Sequence, residues 1–374
     1  MAQLPTVEDV ARVAQVSRQT VSNVLNSPAI VKDATRARVE AAIAQLRYRP
    51  HASARRLRTR KSSTIGIRLE PERNGISGSV LDTFLHSLTE QADSREMRVL
   101  LFTANDPHHE IDQIRRLRDG ADVDAFVLTS TLYEDPRVAW LIQNEVPFVT
   151  FGRLWGHDDM SDPRHRWVDV DGRAGVRQAT EHLLAQGIAR VGYVGWPSGS
   201  GAGDDRHNGW VDAISAARLS TTGLSASVVD GVSQGTEAAR ELLAGNTVDA
   251  LVCASDSLAL GARIAAVSLG KDALPIIGFD DTPVARAIGI SSIQQPLDAV
   301  AGAVLELLLG PTGNEVLPAS FPGRNYAVGI GLHDSSAALI PAGAANEEPT
   351  YRLLAPRLVE RRSTNLALDR TIGT

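Results

Sequence analysis

A short stretch near the start of the chain carries side chains that can hydrogen-bond to the edges of DNA bases. Residues 17–26 follow the helical period, with Val21, Val24 and Leu25 on one side. The other side is polar and comprises Arg18, Gln19, Ser22, Asn23 and Asn26. Arginine can donate two hydrogen bonds to guanine, and glutamine or asparagine can form a pair of hydrogen bonds with adenine. The pattern predicts a helix that contacts bases; the alternative is the polar side of an ordinary helix in a small bundle.

Two further helical patterns are expected to position this helix. Thr6 and Asp9 have the spacing of a capping box ahead of a first helix, and Ser17 is placed to cap the second. A third helix is predicted over about 33–46, with an apolar face formed by Val39, Ile43 and Leu46. Residues 1–49 are therefore predicted to form an all-α headpiece of the helix-turn-helix type, which presents the start of its second helix to the major groove.

The charge of the chain is unevenly distributed. Residues 1–62 contain 12 Lys and Arg against four acids, a net charge of +8, whereas the whole chain carries −6 and the remainder therefore −14. A basic module on an acidic body indicates a polyanion that is contacted at one end only, although a basic face that contacts only solvent has the same composition.

The overall composition is that of a globular protein with more than one core. A chain of 374 residues with 43% hydrophobic residues is expected to form two or three domains. No apolar run reaches the roughly 18 residues of a membrane span, and the N-terminus lacks the pattern of a secretory signal. The single cysteine, Cys253, cannot form an internal disulfide and fits a reducing compartment, so the expected location is the cytoplasm.

From residue 65 onward, short apolar strands alternate with amphipathic helices. The predicted strands are 65–69, 99–102, 124–130, 147–151, 167–171, 191–195, 226–230, 249–255 and 275–281. This alternation predicts two doubly wound parallel sheets, whose ligands bind beyond the carboxyl ends of the strands.

Polar and aromatic residues follow several of these strands. They are Arg153, Trp155, Trp196, Arg206, Ser255, Asp256 and Asp280. Arginine and aspartate can hold several hydroxyl groups, and a tryptophan ring packs against the C–H face of a sugar, so the set predicts a carbohydrate site. For any one of them, helix capping or core packing is the alternative; Arg206, for example, can pair with Asp204 or Asp205.

At this point the sequence resembles a known family. The runs TVEDVARVAQVSRQTVSNVLN and TRARVEAAIAQLRYRPHASARRLRT resemble the headpiece of the lactose-repressor (LacI/GalR) family. The resemblance implies base contacts by Arg18, Gln19 and Asn23. It implies phosphate or positioning contacts by Thr6, Ser17, Thr20, Ser22 and Asn26. It also implies a hinge over 50–58 that includes Ala54, Arg55 and Leu57, with Leu57 as an apolar wedge in the minor groove.

The sequence departs from the family pattern at three positions of the headpiece. Gln15 occupies the turn position where glycine is usual, so a left-handed backbone there would cost about 1 kcal/mol. Lys32 stands where serine is usual, which leaves Asp33 as the expected cap of the third helix. His51 replaces the common asparagine after the hinge proline, and one DNA contact changes with it.

The rest of the chain resembles the sensor domain of the same family, which has the periplasmic-binding-protein type I fold. The blocks DDRHNGW, ASDSLALG and GFDDTPVA carry this resemblance. It implies that Arg206 and Asp280 clamp the ligand, that Ser255 takes the place of an asparagine, and that Gln295 lies near the pocket. The run FGRLW (151–155) and the loop GWPSGSGAGDDR are most similar to the corresponding segments of family members that sense disaccharides.

The expected organisation follows from these two resemblances. It comprises a headpiece (1–49), a hinge (50–62), an effector-binding domain (63–364) and a tail (365–374). Within the large domain we expect an N-subdomain of about 63–166 plus 294–312 and a C-subdomain of about 167–293 plus 351–364. A Gly-, Pro- and Ala-rich insertion of about 311–350 separates the last helix from the closing strand.

Other classes of function are disfavoured by what the sequence contains. The GSGAG run lacks the full spacing of a nucleotide-binding loop, and Cys253 lies in an apolar strand. The runs 108–110 and 157–159 contain His with Glu or Asp, but they match no metal-ligand spacing. An enzyme, a cofactor and a metal are therefore not expected, and a secreted sugar-binding protein would lack the headpiece.

The expected function is that of a repressor. A homodimer is expected to bind double-stranded DNA at a palindromic operator and to be released by a small saccharide effector; the alternative is a purine-like corepressor. No membrane partner is expected.

Overall fold

The computed structural model describes residues 5–48, 61–70, 78–156, 162, 164–245, 248–310, 316–317 and 350–364. The chain divides into two units, residues 1–62 and residues 63–374. No helix of the described ranges is long and apolar enough to cross a membrane.

The small unit is a bundle of three α-helices. These are α1 (Val7–Ala14), α2 (Arg18–Asn26) and α3 (Asp33–Leu46), with a turn of 3-10 helix at Pro28–Ile30 between the last two. One fully buried valine from each helix, Val10, Val21 and Val39, meets in the core. The three predicted helices are confirmed, and so is the apolar side of each.

The large unit contains twelve described strands and nine described helices. The strands are β1 (Thr64–Leu69), β2 (Arg98–Thr103), β3 (Ala125–Leu128), β4 (Phe148–Phe151), β5 (Arg166–Val170), β6 (Val191–Gly195), β7 (Ser225–Ser227), β8 (Ala250–Cys253), β9 (Ile276–Phe279), β10 (Ser291–Gln294), β11 (Tyr351–Leu354) and β12 (Arg357–Val359). The helices are α4 (Gly78–Asp93), α5 (Pro107–Asp119), α6 (Pro136–Gln143), α7 (Gly172–Ala185), α8 (Ala202–Ala216), α9 (Val232–Ala244), α10 (Asp256–Ser268), α11 (Pro283–Ile288) and α12 (Leu297–Leu309).

The strands form two six-stranded sheets, as the alternating pattern predicts. The first has the order β11-β5-β4-β3-β1-β2 and the second β12-β10-β9-β8-β6-β7. All described pairings are parallel except that of β10 with β12, which is antiparallel. The central strands β3, β6, β8 and β9 are buried along their whole length and read as continuous apolar runs, as expected for parallel sheets covered by helices on both faces.

The chain passes between the two sheets three times. It leaves the first sheet after β5, returns after β10 through α12, and crosses again between β11 and β12. The helix α12 is apolar on most sides because it is buried between α4 and the first sheet, where Val300, Val304 and Leu308 are fully buried.

The predicted division of the large domain is wrong at two strands. The sequence pattern places β5 in the second subdomain from residue 167 onward, but β5 pairs with β4 and β11 in the first sheet. It also places the whole closing segment in the second subdomain, whereas β11 belongs to the first sheet and only β12 to the second. The stacked rings of Trp167 and Tyr351, 4.5 Å apart, join β5 to β11 and explain why this strand stays in the first sheet.

Candidate DNA-contact surface and effector cleft

Arg18 and Gln19 are exposed on the polar side of α2, and Gln19 hydrogen-bonds to Asn23, another predicted base-contacting residue. Gln19 Nε2 donates a hydrogen bond to Asn23 Oδ1 at 2.9 Å, one helical turn away. Arg18, whose side chain is 71% exposed, forms an ion pair with Glu8 at 2.9 Å. Exposed pairs of this kind contribute little to stability, so these side chains can exchange them for contacts with DNA at small cost.

Two of the hydroxyl residues predicted to lie near phosphates, Thr6 and Ser17, act as helix caps. Ser17 Oγ accepts a hydrogen bond from Thr20 N at 3.1 Å, and the two hydroxyl oxygens are 2.9 Å apart. Thr6 Oγ1 accepts from Asp9 N at 3.3 Å, while Asp9 Oδ2 accepts from Thr6 N at 3.0 Å. This is the predicted capping box, and the two caps fix where α1 and α2 begin.

The remaining predicted DNA contacts are less fully described. Ser22 is half-buried on α2, and Asn26 is the last residue of that helix. Three predicted hinge contacts, Ala54, Arg55 and Leu57, lie outside the described residues, and so does His51.

The two described departures from the family pattern have different outcomes. Gln15 has φ 51° and ψ 50°, so the predicted left-handed backbone of the turn is confirmed although the residue is not glycine. The predicted cap at Asp33 is wrong: α3 begins at Asp33, Lys32 is its cap residue, and no side chain caps it. Asp33 instead lies in the first turn and pairs with Arg36 at 3.0 Å.

Several predicted effector residues meet at the carboxyl edge of the second sheet. Asp280 follows β9 and Gln295 follows β10, the adjacent strand. Gln295 Nε2 donates a hydrogen bond to Asp280 Oδ1 at 2.7 Å. The same oxygen lies 3.8 Å from Nη2 of Arg206, which projects from α8. The predicted pair of Arg206 and Asp280 is therefore a buried ion pair with a third, amide partner.

The guanidinium of Arg206 is held between aromatic rings. Its Cζ is 3.7 Å from the ring centroid of Phe279 and 5.0 Å from that of Trp196. Nη1 donates to the carbonyl oxygen of Ala254 at 2.6 Å. Nε is buried and has no hydrogen-bond partner within the described ranges. A buried donor without a partner costs free energy, and a ligand oxygen would remove that cost.

Burial changes the proton affinity of Asp280. It raises the pKa of this carboxyl to about 8, although the charge of Arg206 acts in the opposite direction. The carboxyl therefore takes up a proton at a higher pH than an ordinary aspartate does. Its backbone φ of 108° lies in a region that few residues other than glycine adopt, and such strain is concentrated at functional sites.

Trp196 and Ser255 are joined through an aspartate that the sequence did not single out. Trp196 Nε1 donates to Asp230 Oδ1 at 3.1 Å, and the hydroxyl of Ser255 donates to the same oxygen. Ser255 Oγ also accepts from Leu258 N at 3.2 Å and so caps α10. Ser255 therefore both caps α10 and lies in the cleft.

Asp256 does not face the cleft as a free acceptor. Its side chain is fully buried, Oδ2 accepts from Thr282 N at 2.7 Å, and Oδ1 accepts from Ser292 Oγ at 2.7 Å. Burial raises the pKa of Asp256 to about 6. These contacts join α10 to the ends of β9 and β10, so the position supports a structural role and not the predicted contact with an effector.

Arg153 lies at the end of β4, on the first-sheet side of the cleft. Its Nε pairs with Asp169 at 2.7 Å, and its Nη2 lies 3.4 Å from Asp205 Oδ2 on α8. Burial lowers the pKa of Arg153, but these two carboxylates more than offset that effect and the net shift is upward. Asp205 Oδ2 also accepts from Arg173 N at 3.0 Å, so Asp205 pairs with Arg153 and not with Arg206.

A second set of contacts crosses from the first-sheet side to the second, and we term it the cross-cleft clasp. It consists of Tyr133 and Trp155 on one side and Gly201 and Asp204 on the other. Tyr133 Oη donates to Asp204 Oδ2 at 3.2 Å, and the rings of Tyr133 and Trp155 are 6.4 Å apart. Trp155 is only 8% exposed and lies against Gly201, so its predicted role as an open plate for a sugar is not supported by its position.

Two residues of the cleft were missed by the sequence prediction: Asp230 and Tyr133. Asp230 ends a predicted strand, the same signal that identified Asp280, so the rule about strand ends could have found it. Tyr133 lies in a loop without periodicity, and only its contact with Asp204 reveals it.

The residues that suggested other functions have structural roles. Glu110 is buried and pairs with Arg137 at 2.9 Å, while His108 and His109 lie in the first turn of α5. Within the described ranges, no group of three or more His, Cys, Asp or Glu residues is placed to hold a metal. Residues 157–159 lie outside those ranges. Cys253 is fully buried, and burial raises the pKa of its thiol far above the usual range, so it is inert as a nucleophile.

Comparison with known proteins identifies both units. Residues 6–51 match the family described as "Bacterial regulatory proteins, lacI family", and residues 77–303 match "Periplasmic binding proteins and sugar binding domain of LacI family". The regulator CelR of Thermobifida fusca is 31% identical over 318 residues, which are 82% of this chain and 91% of CelR. GalR of Escherichia coli is 28% identical over 330 residues, which are 84% of this chain and 91% of GalR.

A solved structure of the regulator CelR in complex with cellobiose is also similar. Its TM-score is 0.64 at 26% identity, and the match covers 96% of this chain and 99% of that structure. Both units are thus matched in the order that the sequence predicts, and the named relatives are transcriptional regulators. The chain therefore belongs to the LacI family of bacterial regulatory proteins and is a DNA-binding transcriptional regulator, not an enzyme.

Proposed function

We propose that this regulator is a cytoplasmic repressor of carbohydrate-utilisation genes, which binds a near-palindromic operator as a homodimer and is released by a neutral saccharide. The similarity to CelR and GalR supports this class of target gene. The exposed Arg18, Gln19 and Asn23 face on α2 supports sequence-specific contact in the major groove. Two such headpieces related by a twofold axis require two inverted half-sites.

The single observation that carries the effector proposal is the environment of Arg206. Its guanidinium lies over Phe279, beside Trp196, and close to Asp280, and one of its buried nitrogens lacks a hydrogen-bond partner within the described ranges. A charged donor fixed next to an aromatic ring and a carboxyl is suited to hydroxyl groups on a ring with apolar C–H faces. No metal or organic cofactor is needed for this chemistry.

The charges around the cleft favour a neutral ligand over a phosphorylated one. Two guanidinium groups, those of Arg153 and Arg206, are accompanied by the carboxyl groups of Asp169, Asp205 and Asp280. Each arginine already has an acidic partner, so a phosphate would have to displace a carboxylate to be bound. Hydroxyl groups require no such exchange.

The proposed switch depends on linkage. The two sheets of the sensor domain are joined by three crossovers, and a ligand held between them shifts their relative angle. Release from DNA follows only if the saccharide binds the DNA-incompetent arrangement more tightly than the competent one. If the preference were reversed, the same domain would act with a corepressor.

A binding experiment with purified full-length protein tests the proposal. Fluorescence anisotropy would be measured on a labelled duplex from upstream of its own gene, with cellobiose and other neutral mono- and disaccharides, their phosphates, and purine bases as additives. We expect a neutral saccharide to weaken operator binding, and loss of one half-site to weaken it strongly. Tighter binding in the presence of a purine would overturn the inducer proposal, and activity of a sugar phosphate alone would overturn the preference for neutral ligands.

A further inference from the structure

Asp230 occupies a central place in the cleft and is not part of the clamp formed by Arg206 and Asp280. It lies at the end of the segment after β7, the edge strand of the second sheet, next to β6. Its Oδ1 accepts hydrogen bonds from the indole nitrogen of Trp196 at 3.1 Å and from the hydroxyl of Ser255. One oxygen therefore connects residues that follow three different strands, β6, β7 and β8.

The indole of Trp196 is fixed on several sides. The guanidinium of Arg206 lies 5.0 Å from its ring centroid, and a β-carbon added to Gly203 would lie 3.1 Å from its Cε3. Its backbone carbonyl accepts from Ser227 Oγ at 2.9 Å. The rotation of the ring about its own side-chain bonds is opposed by the hydrogen bond to Asp230, which is the only polar contact of the indole within the described ranges.

We propose that Asp230 is a positioning residue of the effector site, which sets the plane of the Trp196 indole beside Arg206. The physical reason is that an indole has a single N–H donor, and anchoring it to a charged acceptor selects one orientation of an otherwise apolar plate. The carboxylate also directs the hydroxyl of Ser255, so the plate and a polar group of the cleft are oriented together. Asp230 thus acts through Trp196.

The affinity test of this inference rests on the proposed effector function. The spectroscopic test does not, because it uses ligand-free protein. The near-ultraviolet circular dichroism of Trp196 is obtained in ligand-free, full-length protein as the difference between wild type and Trp196→Phe. The same difference is then measured in the Asp230→Ala and Asp230→Asn backgrounds. We expect Asp230→Ala to reduce the Trp196 signal by more than half, because the ring is no longer fixed. Asp230→Asn should keep it, because the amide oxygen can accept the same two hydrogen bonds.

The affinity for cellobiose, measured by calorimetry, supplies the second readout. We expect Asp230→Ala to weaken binding at least tenfold and Asp230→Asn less than threefold. Once Trp196 is phenylalanine, Asp230→Ala should have a much smaller effect, because only the orientation of the Ser255 hydroxyl is then lost. Asp272→Ala, at an exposed aspartate, serves as the matched control for the loss of a carboxylate.

The outcomes separate the positioning role from its alternatives. An unchanged Trp196 signal in Asp230→Ala, or an Asp230→Asn variant as weak as Asp230→Ala, would overturn the proposal, the latter in favour of a direct charged contact. If wild type binds cellobiose and no other saccharide tested, or none at all, the proposed function is restricted or fails, while the ligand-free spectra still decide the role of Asp230. If Asp230→Ala does not fold, Asp230→Asn and its Trp196→Phe partner give the decisive pair.

Discussion

The ring of Trp155 lies directly against the backbone of Gly201, so that a β-carbon on this glycine would come within 2.6 Å of Trp155 Cγ. Trp155 belongs to the loop after β4 on the first-sheet side, and Gly201 precedes α8 on the second-sheet side. The cross-cleft clasp therefore requires a residue without a side chain at this point. Gly201 also has φ 61° and ψ −81°, a conformation that residues with a β-carbon avoid.

We expect Gly201→Ala to lower the free energy of unfolding of the sensor domain by about 1–3 kcal/mol, because it adds a steric clash to backbone strain. Chemical denaturation of the full chain would measure this. Gly199→Ala is the matched control, since Gly199 also has a positive φ, 90°, but its added β-carbon would meet nothing within 4 Å. Equal losses in the two variants would show that the contact between Trp155 and Gly201 contributes nothing.

A second prediction concerns the exposed pair on α2. Gln19→Ala removes one member of the Gln19–Asn23 hydrogen bond and is expected to weaken operator binding by roughly 1–3 kcal/mol, with relaxed preference at one base pair per half-site. Anisotropy titrations on operators with single base substitutions would measure both effects. Gln45→Ala, at an exposed position of α3, is the control and should bind like wild type. A Gln19→Ala specificity profile identical to that of wild type would remove Gln19 from the base-contacting set.

The secondary structure could be predicted because each element carries a local signal. Thr6 and Ser17 mark helix starts, and the nine predicted strands of the large domain correspond to β1 through β9. Strand ends likewise identified Arg206 and Asp280, and the family resemblance added Gln295; the structure brings the three together. These successes depend on short-range patterns and on the rule that ligands bind beyond parallel strands.

The features that sequence could not supply depend on long-range contacts. The closing segment reads as one strand, but its first half pairs with β5 and its second half with β10, and Pro356 lies at the crossing between them. Trp155 has the residue type of a sugar-stacking plate, and only its contact with Gly201 shows that the ring is covered. Asp256 follows a strand end like Asp280, yet its two oxygens are used by Thr282 and Ser292.

The third prediction is a pH dependence of stability that originates at Asp280. Because its folded-state pKa of about 8 is higher than the value near 3.8 of an unperturbed aspartate, the folded state binds this proton more tightly than the unfolded state. The stabilisation is fully present below about pH 4 and is lost as the pH rises toward and through 8, at a slope of at most about 1.4 kcal/mol per pH unit. Asp256, with a pKa of about 6, contributes in the same direction over a lower range.

We therefore expect Asp280→Asn to make the free energy of unfolding less dependent on pH between 6 and 9 than it is in wild type. Urea denaturation at several pH values would measure this slope. Asp272→Asn, at an exposed aspartate before β9, should leave the slope unchanged. Identical slopes for wild type and Asp280→Asn would show that Asp280 is ionised in the folded protein at neutral pH.

The last prediction separates effector binding from DNA binding. Arg206→Ala removes the guanidinium beside Asp280, Phe279 and Trp196, and we expect it to weaken saccharide binding by about 1.5–3 kcal/mol or more, because a charged donor to a buried hydroxyl is lost. Operator binding without effector should stay near wild type, since α2, the helix proposed to contact DNA, belongs to a separate unit of the chain. By linkage, the loss of differential affinity for the two states removes the response and leaves the repressor constitutively bound.

The competing expectation is that Arg206 acts only by holding the fold, through its bond to the Ala254 carbonyl. In that case the unfolding free energy, operator affinity and effector affinity of Arg206→Ala would fall together. Arg206→Lys keeps the charge but not the forked donor, so a ligand-binding role predicts a loss close to that of Arg206→Ala, with a melting temperature near wild type. Arg240→Ala, at an exposed position of α9, controls for the loss of a positive charge. An Arg206→Ala protein that binds the saccharide as tightly as wild type would rule out the clamp.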